Sequence, residues 1–135
     1  LERTGLARQS DGRWRAGLRL VRFAHSAWSS FDLRAAAADE LTALRDETRE
    51  TVRLAVLDGS EMLYLDQRDS LEPVSLRLGI GGRGPAYCSG TGKAALAFVS
   101  PERRAAVLEA APPRSHTPAT LVDRAVLEGD LAATR

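Results

Sequence analysis

An α+β fold, an antiparallel sheet flanked by helices, is predicted by three features of this sequence. Residues 18–28 and the run after Asp32 carry apolar side chains at helical spacing. Residues 51–57 and 61–67 alternate instead, and Asp58-Gly59 between them is a hairpin signal. Finally, the glycine-dense stretch that begins at Gly79 gives way abruptly to an apolar run ending at Phe98, which reads as a loop that ends on a helix N-terminus.

The bulk numbers narrow the possibilities without choosing a function. With 135 residues, 44% of them hydrophobic, there is room for one domain and material for its core. A formal net charge of +1 provides no overall basic field, so any nucleic-acid contact has to come from a local patch or from sequence outside this stretch. The single Cys88 cannot form an internal disulfide. With no bilayer-length apolar run and no secretory signal, a cytoplasmic location is expected. Leu1 to Leu6 reads like the last turn of a helix stopping at Gly5, and Leu131 to Arg135 stops inside a helical pattern, so a piece of a longer protein is expected.

In chain order, Ser10-Asp11-Gly12 turns residues 6–16 into a small hairpin that carries Arg8, Arg13 and Arg15. The helix after it has one polar stripe, Arg19, Arg22, Ser26 and Ser29. Its broad apolar surface, including Leu18, Val21, Phe23 and Trp28, must be covered by the same chain or by a second subunit. His25 reads as a helix-surface residue, because no ligand cluster accompanies it. Asp32 is placed to cap one helix whose Leu33, Ala36, Ala37, Leu41 and Leu44 share a face. The hairpin that follows puts Val52, Leu54 and Val56 on one face, and a third strand is expected over Val74 to Leu78.

Two nucleotide motifs fail at the glycine stretch. Gly79, Gly81 and Gly84 satisfy G-x-G-x-x-G, but Pro85 biases Gly84 towards an extended conformation where a dinucleotide site needs a helix. A phosphate loop ending at Gly92-Lys93 needs a glycine at Tyr87 and a hydroxyl at Ala94. The residues fit two readings: Ser89 or Thr91 only caps the helix, or the free amides at its start hold a small carboxylate. Ser100-Pro-Glu-Arg then opens a scaffold helix that Pro112-Pro113 ends, and another follows through Leu127 and Leu131.

No catalytic set assembles. Cys88-Ser89 offers a nucleophile, but nothing in the spacing brings His25 or His116 beside it. Cys88 is expected to pack as a buried or half-buried structural residue, and Lys93 to lie on the surface. Catalytic residues, metal ligands and cofactors are assigned to none of these positions.

Gly82-Arg83, Pro85, Gly92-Lys93-Ala94 and Leu96-Ala97 resemble the G-x-x-x-P-x-x-A-x-x-x-G-K-A-x-L-A stretch of the IclR family of bacterial transcription regulators. Leu1, Gly5, Leu6, Gly12, Trp14, Gly17 and Leu20 fall on that family's wing pattern, with Trp14 for its usual Tyr. Glu50 to Gly59 matches its E-T-V-x-L-A-V-L-D-G with Arg49 in place of the preceding Gly, and Thr117 to Asp123 resembles its T-x-x-T-I-x-D. The resemblance runs through nearly the whole chain.

It implies a GAF/profilin-like effector-binding domain preceded by a wing hairpin and a linker helix. Residues 1–16 would be the C-terminal end of a winged helix-turn-helix domain, 17–30 the linker helix, and 31–135 the N-terminal part of the effector-binding domain. The implied partners are operator DNA, touched by Arg8, Arg13 and Arg15, a small organic acid effector, and further copies of the chain as a homodimer or dimer of dimers. The effector would meet Leu76, Gly84, Ser89, Gly90 and Thr91. Gly84 stands where a larger apolar residue is common, which would leave room for a bulkier effector if it lines the pocket, and Tyr87-Cys88 stands where His-Ala is common, so the effector need not be one of the family's simplest acids. The family's remaining polar ligands belong to the second half of that domain, beyond Arg135. Other readings are a GAF-like sensor attached to another output and an oligomerisation module with an unoccupied glycine turn.

Overall fold

A computed structural model of the chain describes residues 2, 4–29, 32–71 and 79–135. Two compact units are distinguished, Leu1–Ala38 and Asp39–Arg135. Their charge differs: the first has seven arginines against three carboxylates, the second twelve basic residues against fifteen acidic ones.

The first unit begins with β1 (Ala7–Ser10) and β2 (Arg13–Ala16), paired antiparallel with Ser10 opposite Arg13. Positive φ at both turn residues, 54° at Asp11 and 72° at Gly12, is the type I′ geometry that suits the twist of a two-residue hairpin. Helix α1 (Leu18–Ser29) starts two residues after β2. A side chain at Gly17 would meet the Gly5 carbonyl oxygen at 2.1 Å, so this junction can only be glycine. The described apolar side chains of α1 are exposed, Leu18 at 81% and Val21 at 64%, leaving the apolar surface the sequence predicted uncovered within this unit.

The single helix expected after Asp32 is two. Helix α2 (Asp32–Ala36) and helix α3 (Ala38–Thr48) are interrupted at Ala37, and no proline or glycine there explains the break. Of the predicted apolar face Leu41 is buried, but Leu33 and Leu44 are exposed. Arg49 follows α3 with φ 60°, and its N–H donates to the Arg45 carbonyl at 2.8 Å. The arginine thus takes up the left-handed exit that the family resemblance assigns to glycine, a conformation that costs a side-chain-bearing residue about 1–2 kcal/mol.

In the second unit β3 (Val52–Asp58) and β4 (Glu61–Arg68) form the predicted hairpin, with Gly59 at φ 64° as first turn residue. The pairing register shifts between Leu54 and Ala55, so that Leu54 faces Asp66 and Ala55 faces Tyr64, leaving Leu65 as the extra residue of a bulge. Ala55 and Leu57 with Met62 and Tyr64 join the main core, rather than the Val52, Leu54 and Val56 set. Asp66 is 7% exposed and pairs with Arg68 at 3.0 Å, and Arg68 Nε reaches Thr42 of α3 at 3.4 Å.

The expected strand Val74 to Leu78 lies outside the described residues. A short strand β5 (Arg83–Pro85), in the glycine stretch read as loop, pairs antiparallel with β4 and completes a sheet ordered β3-β4-β5. A 3-10 turn (Ala86–Cys88) follows, then α4 (Gly90–Phe98), α5 (Pro101–Ala110) and α6 (Arg124–Ala133). The core joins Met62 and Tyr64 to Ala86, Tyr87, Leu96, Val107, Leu108, Leu127 and Leu131. Ser100 and Asp123 cap α5 and α6 by accepting from the N–H groups of Arg103 and Val126 at 3.2 and 3.0 Å. Thr120 Oγ1 accepts from the N–H groups of His116 and Thr117, so the T-x-x-T pattern forms a turn leading into the Asp123 cap.

Candidate functional site

The start of α4 is built from the sheet outward. Gly81 N–H donates to the Tyr64 carbonyl at 2.8 Å and Tyr64 N–H to that of Gly82 at 3.0 Å, fastening the glycine stretch to β4 just before β5. The chain then enters the 3-10 turn, and Ser89, extended at φ −109° and ψ 151°, becomes the N-cap of α4. Its Oγ accepts from Gly92 N–H at 3.1 Å, while its carbonyl accepts from Lys93 N–H at 2.8 Å. The amides of Gly90 and Thr91 remain in the first turn, where a helix offers no internal acceptor, and no acidic side chain of that turn faces them.

A Cβ at Gly92 would stand 2.1 Å from the Ala86 carbonyl oxygen and 2.5 Å from its Cα. The helix therefore rests directly on the 3-10 turn, and glycine serves close packing here rather than access for a ligand. Lys93 is half-buried, its Nζ 2.9 Å from Asp130 Oδ2, which ties α4 to α6.

Of the residues named from sequence, Ser89, Gly90 and Thr91 come together at this helix start. Gly84 is on β5 opposite Met62, next to Pro85, whose carbonyl accepts from Ser89 Oγ at 3.4 Å. Among the described residues, nothing lies within 4 Å of a Cβ placed at Gly84. Leu76 lies outside the described residues.

Two tyrosines beside the helix start were not named as site residues from the sequence. Tyr64, 6% exposed, has its hydroxyl 3.4 Å from Thr91 Oγ1, and the Arg53 guanidinium stands 5.9 Å from its ring centre. Only strand alternation marks it in the sequence, and alternation says nothing about which helix start lies above. Tyr87 is buried; its hydroxyl donates to the Arg114 carbonyl at 3.1 Å, accepts from Arg114 N–H at 3.0 Å and lies 2.9 Å from His116 Nε2. It pins the segment between α5 and α6 to the turn before α4.

Cys88 corrects an expectation: it is exposed, because the 3-10 turn aims its neighbours Ala86 and Tyr87 into the core instead. Partial burial of the thiol pushes its pKa above the ordinary value, the opposite of an activated nucleophile. Among the described residues no group of three or more His, Cys, Asp or Glu could hold a metal ion. No helix of the described residues is long and apolar enough to cross a membrane.

In the hairpin Arg8 is directly opposite Arg15 and Arg13 is opposite Ser10, so strand alternation puts Arg8, Arg13 and Arg15 on one face. All three are exposed. Like charges facing each other across a ladder destabilise it unless an anion lies between them.

The three-stranded antiparallel sheet of the described residues, with helices packed against it, places this protein in the α+β class. A model of the bacterial transcriptional regulator IclR C-terminal region matches residues 25–135, and the chain belongs to the IclR family of bacterial transcriptional regulators. It is similar to the transcriptional repressor IclR of Escherichia coli K12, at 35% identity over 139 residues, covering 100% of this chain and 51% of the repressor. Similarity to the HTH-type transcriptional regulator XynR of the same organism is 34% over 125 residues, 93% of this chain and 50% of that protein. Among solved structures, an IclR homologue from Microbacterium hydrocarbonoxydans complexed with 4-hydroxybenzoate superposes with a TM-score of 0.77 at 33% identity, covering 96% of this chain and 54% of that one. The chain thus spans about half the length of the curated relatives it matches.

Proposed function

We propose that this chain is the sensing part of an effector-gated transcription regulator that binds a small carboxylate or aromatic acid at the start of α4. The observation that carries the reading is the first turn of that helix: Ser89 satisfies Gly92 N–H, no acidic side chain occupies the turn, and the Gly90 and Thr91 amides are left to an outside acceptor. The 4-hydroxybenzoate on a structural relative supports an aromatic acid as one candidate. The open space at Gly84 supports a ligand bulkier than a two- or three-carbon acid. Leu76 would supply an apolar wall, and the rest of the pocket would come from sequence beyond Arg135.

In this reading residues 1–16 end a winged helix domain, 17–30 link it to the effector-binding domain, and 31–135 begin that domain. Arg8, Arg13 and Arg15 touch phosphates of operator DNA, which position a protein without reading sequence. The apolar surface of α1 pairs with a second copy, giving a homodimer or dimer of dimers in the cytoplasm. An effector then acts by binding one arrangement of paired linkers more tightly than another.

The test is carboxylate binding by Gly90→Pro and Thr91→Pro. Proline is tolerated in a first helical turn but removes the donor amide, so the fold should persist while binding to acetate, pyruvate, benzoate and 4-hydroxybenzoate is lost. Binding that survives both changes sinks the effector-site reading.

A further inference from the structure

The second unit holds a cavity that none of Ser89, Gly90 and Thr91 lines. It lies where the β3–β4 turn, the end of β5 and the segment between α5 and α6 come together, and its volume of about 320 Å³ is at the small end of the range that ligand sites occupy. Pro85, Ala110, Ala111 and Pro112 give it an apolar lining. Tyr87 and His116 add a flat wall, their rings stacked with centres 6.0 Å apart and planes 25° from parallel. These walls are fastened from behind. Ala86 N–H donates to the Ser60 carbonyl at 3.2 Å, and the Arg83 guanidinium donates to Asp58 and Glu61 at 2.7 and 2.8 Å, which holds the β3–β4 turn in place. The Tyr87 hydroxyl bonds both backbone groups of Arg114, so that arginine side chain leaves from a fixed root.

Glu61 and Arg114 both line this cavity, one from β4 and one from the segment after α5, yet they do not pair with each other. Among the described residues Glu61 is bonded through Oε2 to Arg83 and the Arg114 guanidinium has no hydrogen bond or ion pair. Opposite charges that face one cavity from fixed roots without meeting leave a place for a molecule that carries both. We propose that this cavity binds a free α-amino acid with an apolar side chain, as a second ligand site that does not depend on the effector-site reading. The carboxylate takes the Arg114 guanidinium, a planar fork able to hold both oxygens. The ammonium takes the Glu61 oxygen that Arg83 leaves open, with the Ser60 hydroxyl of the same cavity as a further acceptor. The apolar side chain lies against Pro85, Pro112 and the ring stack. A molecule with only one of the two charges leaves the other wall unused and is held less tightly.

The experiment is calorimetric titration of the full chain with phenylalanine and leucine, and with phenethylamine and hydrocinnamate, which keep the ring but carry only the cation or only the anion. Phenylalanine should bind roughly tenfold or more tighter than either, as expected for one bond between charged groups. Arg114→Gln should weaken phenylalanine by about that factor and leave phenethylamine unchanged, whereas Glu61→Gln should weaken phenylalanine and leave hydrocinnamate unchanged. Arg83→Gln frees Glu61, so its affinity should hold or rise. The inference is overturned if neither amino acid binds, if phenethylamine or hydrocinnamate binds as tightly as phenylalanine, or if Arg114→Gln or Glu61→Gln binds like wild type. Equal losses in Glu61→Gln and Arg83→Gln also overturn it, since Glu61 would then act only as a support of the turn. Thr91→Pro separates the two sites. Phenylalanine binding that persists there while benzoate binding is lost supports both, and phenylalanine binding lost there assigns its carboxylate to the start of α4 and overturns the cavity site alone.

Discussion

Helices α4 and α5 open with the same device and finish it differently. Each has a serine N-cap, Ser89 and Ser100, whose hydroxyl accepts from the third residue of the helix. Helix α5 then supplies its own anion: Glu102 sits in the first turn, where its own backbone amide and the Ser100 hydroxyl hold its carboxyl below the ordinary glutamate value. Helix α4 supplies none and has glycine at its first and third positions. A helix with an internal carboxylate has finished its N-terminus, whereas α4 has all of that apparatus except the negative charge. The contrast separates a helix whose first turn holds its own carboxylate from one whose first turn does not.

The comparison breaks most visibly at the third helical position. Gly92→Ala drives a Cβ into the Ala86 backbone and should cost about 3 kcal/mol or more, measured by urea unfolding. The equivalent Arg103→Ala in α5, on an exposed residue, should stay within about 0.5 kcal/mol. Next come the caps: Ser89→Ala and Ser100→Ala should each lose roughly 1 kcal/mol, but only the first should also weaken carboxylate binding. Gly90→Glu makes α4 imitate α5. It should raise stability by about 0.5 kcal/mol, because Gly90 is exposed with open space around it, while eliminating carboxylate binding.

The smallest effect is on the acid side. Because folding lowers the Glu102 pKa, the unfolded chain binds the proton more readily, and the stabilisation is complete above the ordinary glutamate value of about 4.3. It is lost as pH falls through the depressed folded value. Glu102→Gln should flatten that part of a Tm-against-pH curve and leave the neutral side with the same slope.

Much of this contrast was legible before any coordinates. Ser-Pro-Glu-Arg and Ser-Gly-Thr-Gly are cap patterns whose physics is local, as are the Asp11-Gly12 and Gly59 turns. What escaped is non-local. Alternation separates Ala55 and Leu57 from Val52, Leu54 and Val56 but does not say which set the helices cover. The close approach of Gly92 to Ala86 is not visible until the turn lies beneath the helix, and Tyr64 reads as one more strand residue until its hydroxyl is seen beside Thr91. The break at Ala37 lies in a run of four alanines, the best helix former there is, so propensity argued against it. Arg49 shows the reverse case: the sequence marked a missing glycine, and the backbone kept the left-handed exit regardless.

The ion pair between α4 and α6 also has a use in chemistry. Lys93 is the chain's one lysine, so an amine-directed acylating reagent has a single side-chain target. Its ammonium is engaged with Asp130 and cannot attack until that contact parts and a proton leaves. The labelling rate at this one nitrogen therefore reports how often the Lys93–Asp130 contact opens. It needs no cysteine engineering and no aromatic reporter, and comparison of the rate with and without an acid bound would register whether occupancy at one end of α4 tightens the helix along its length.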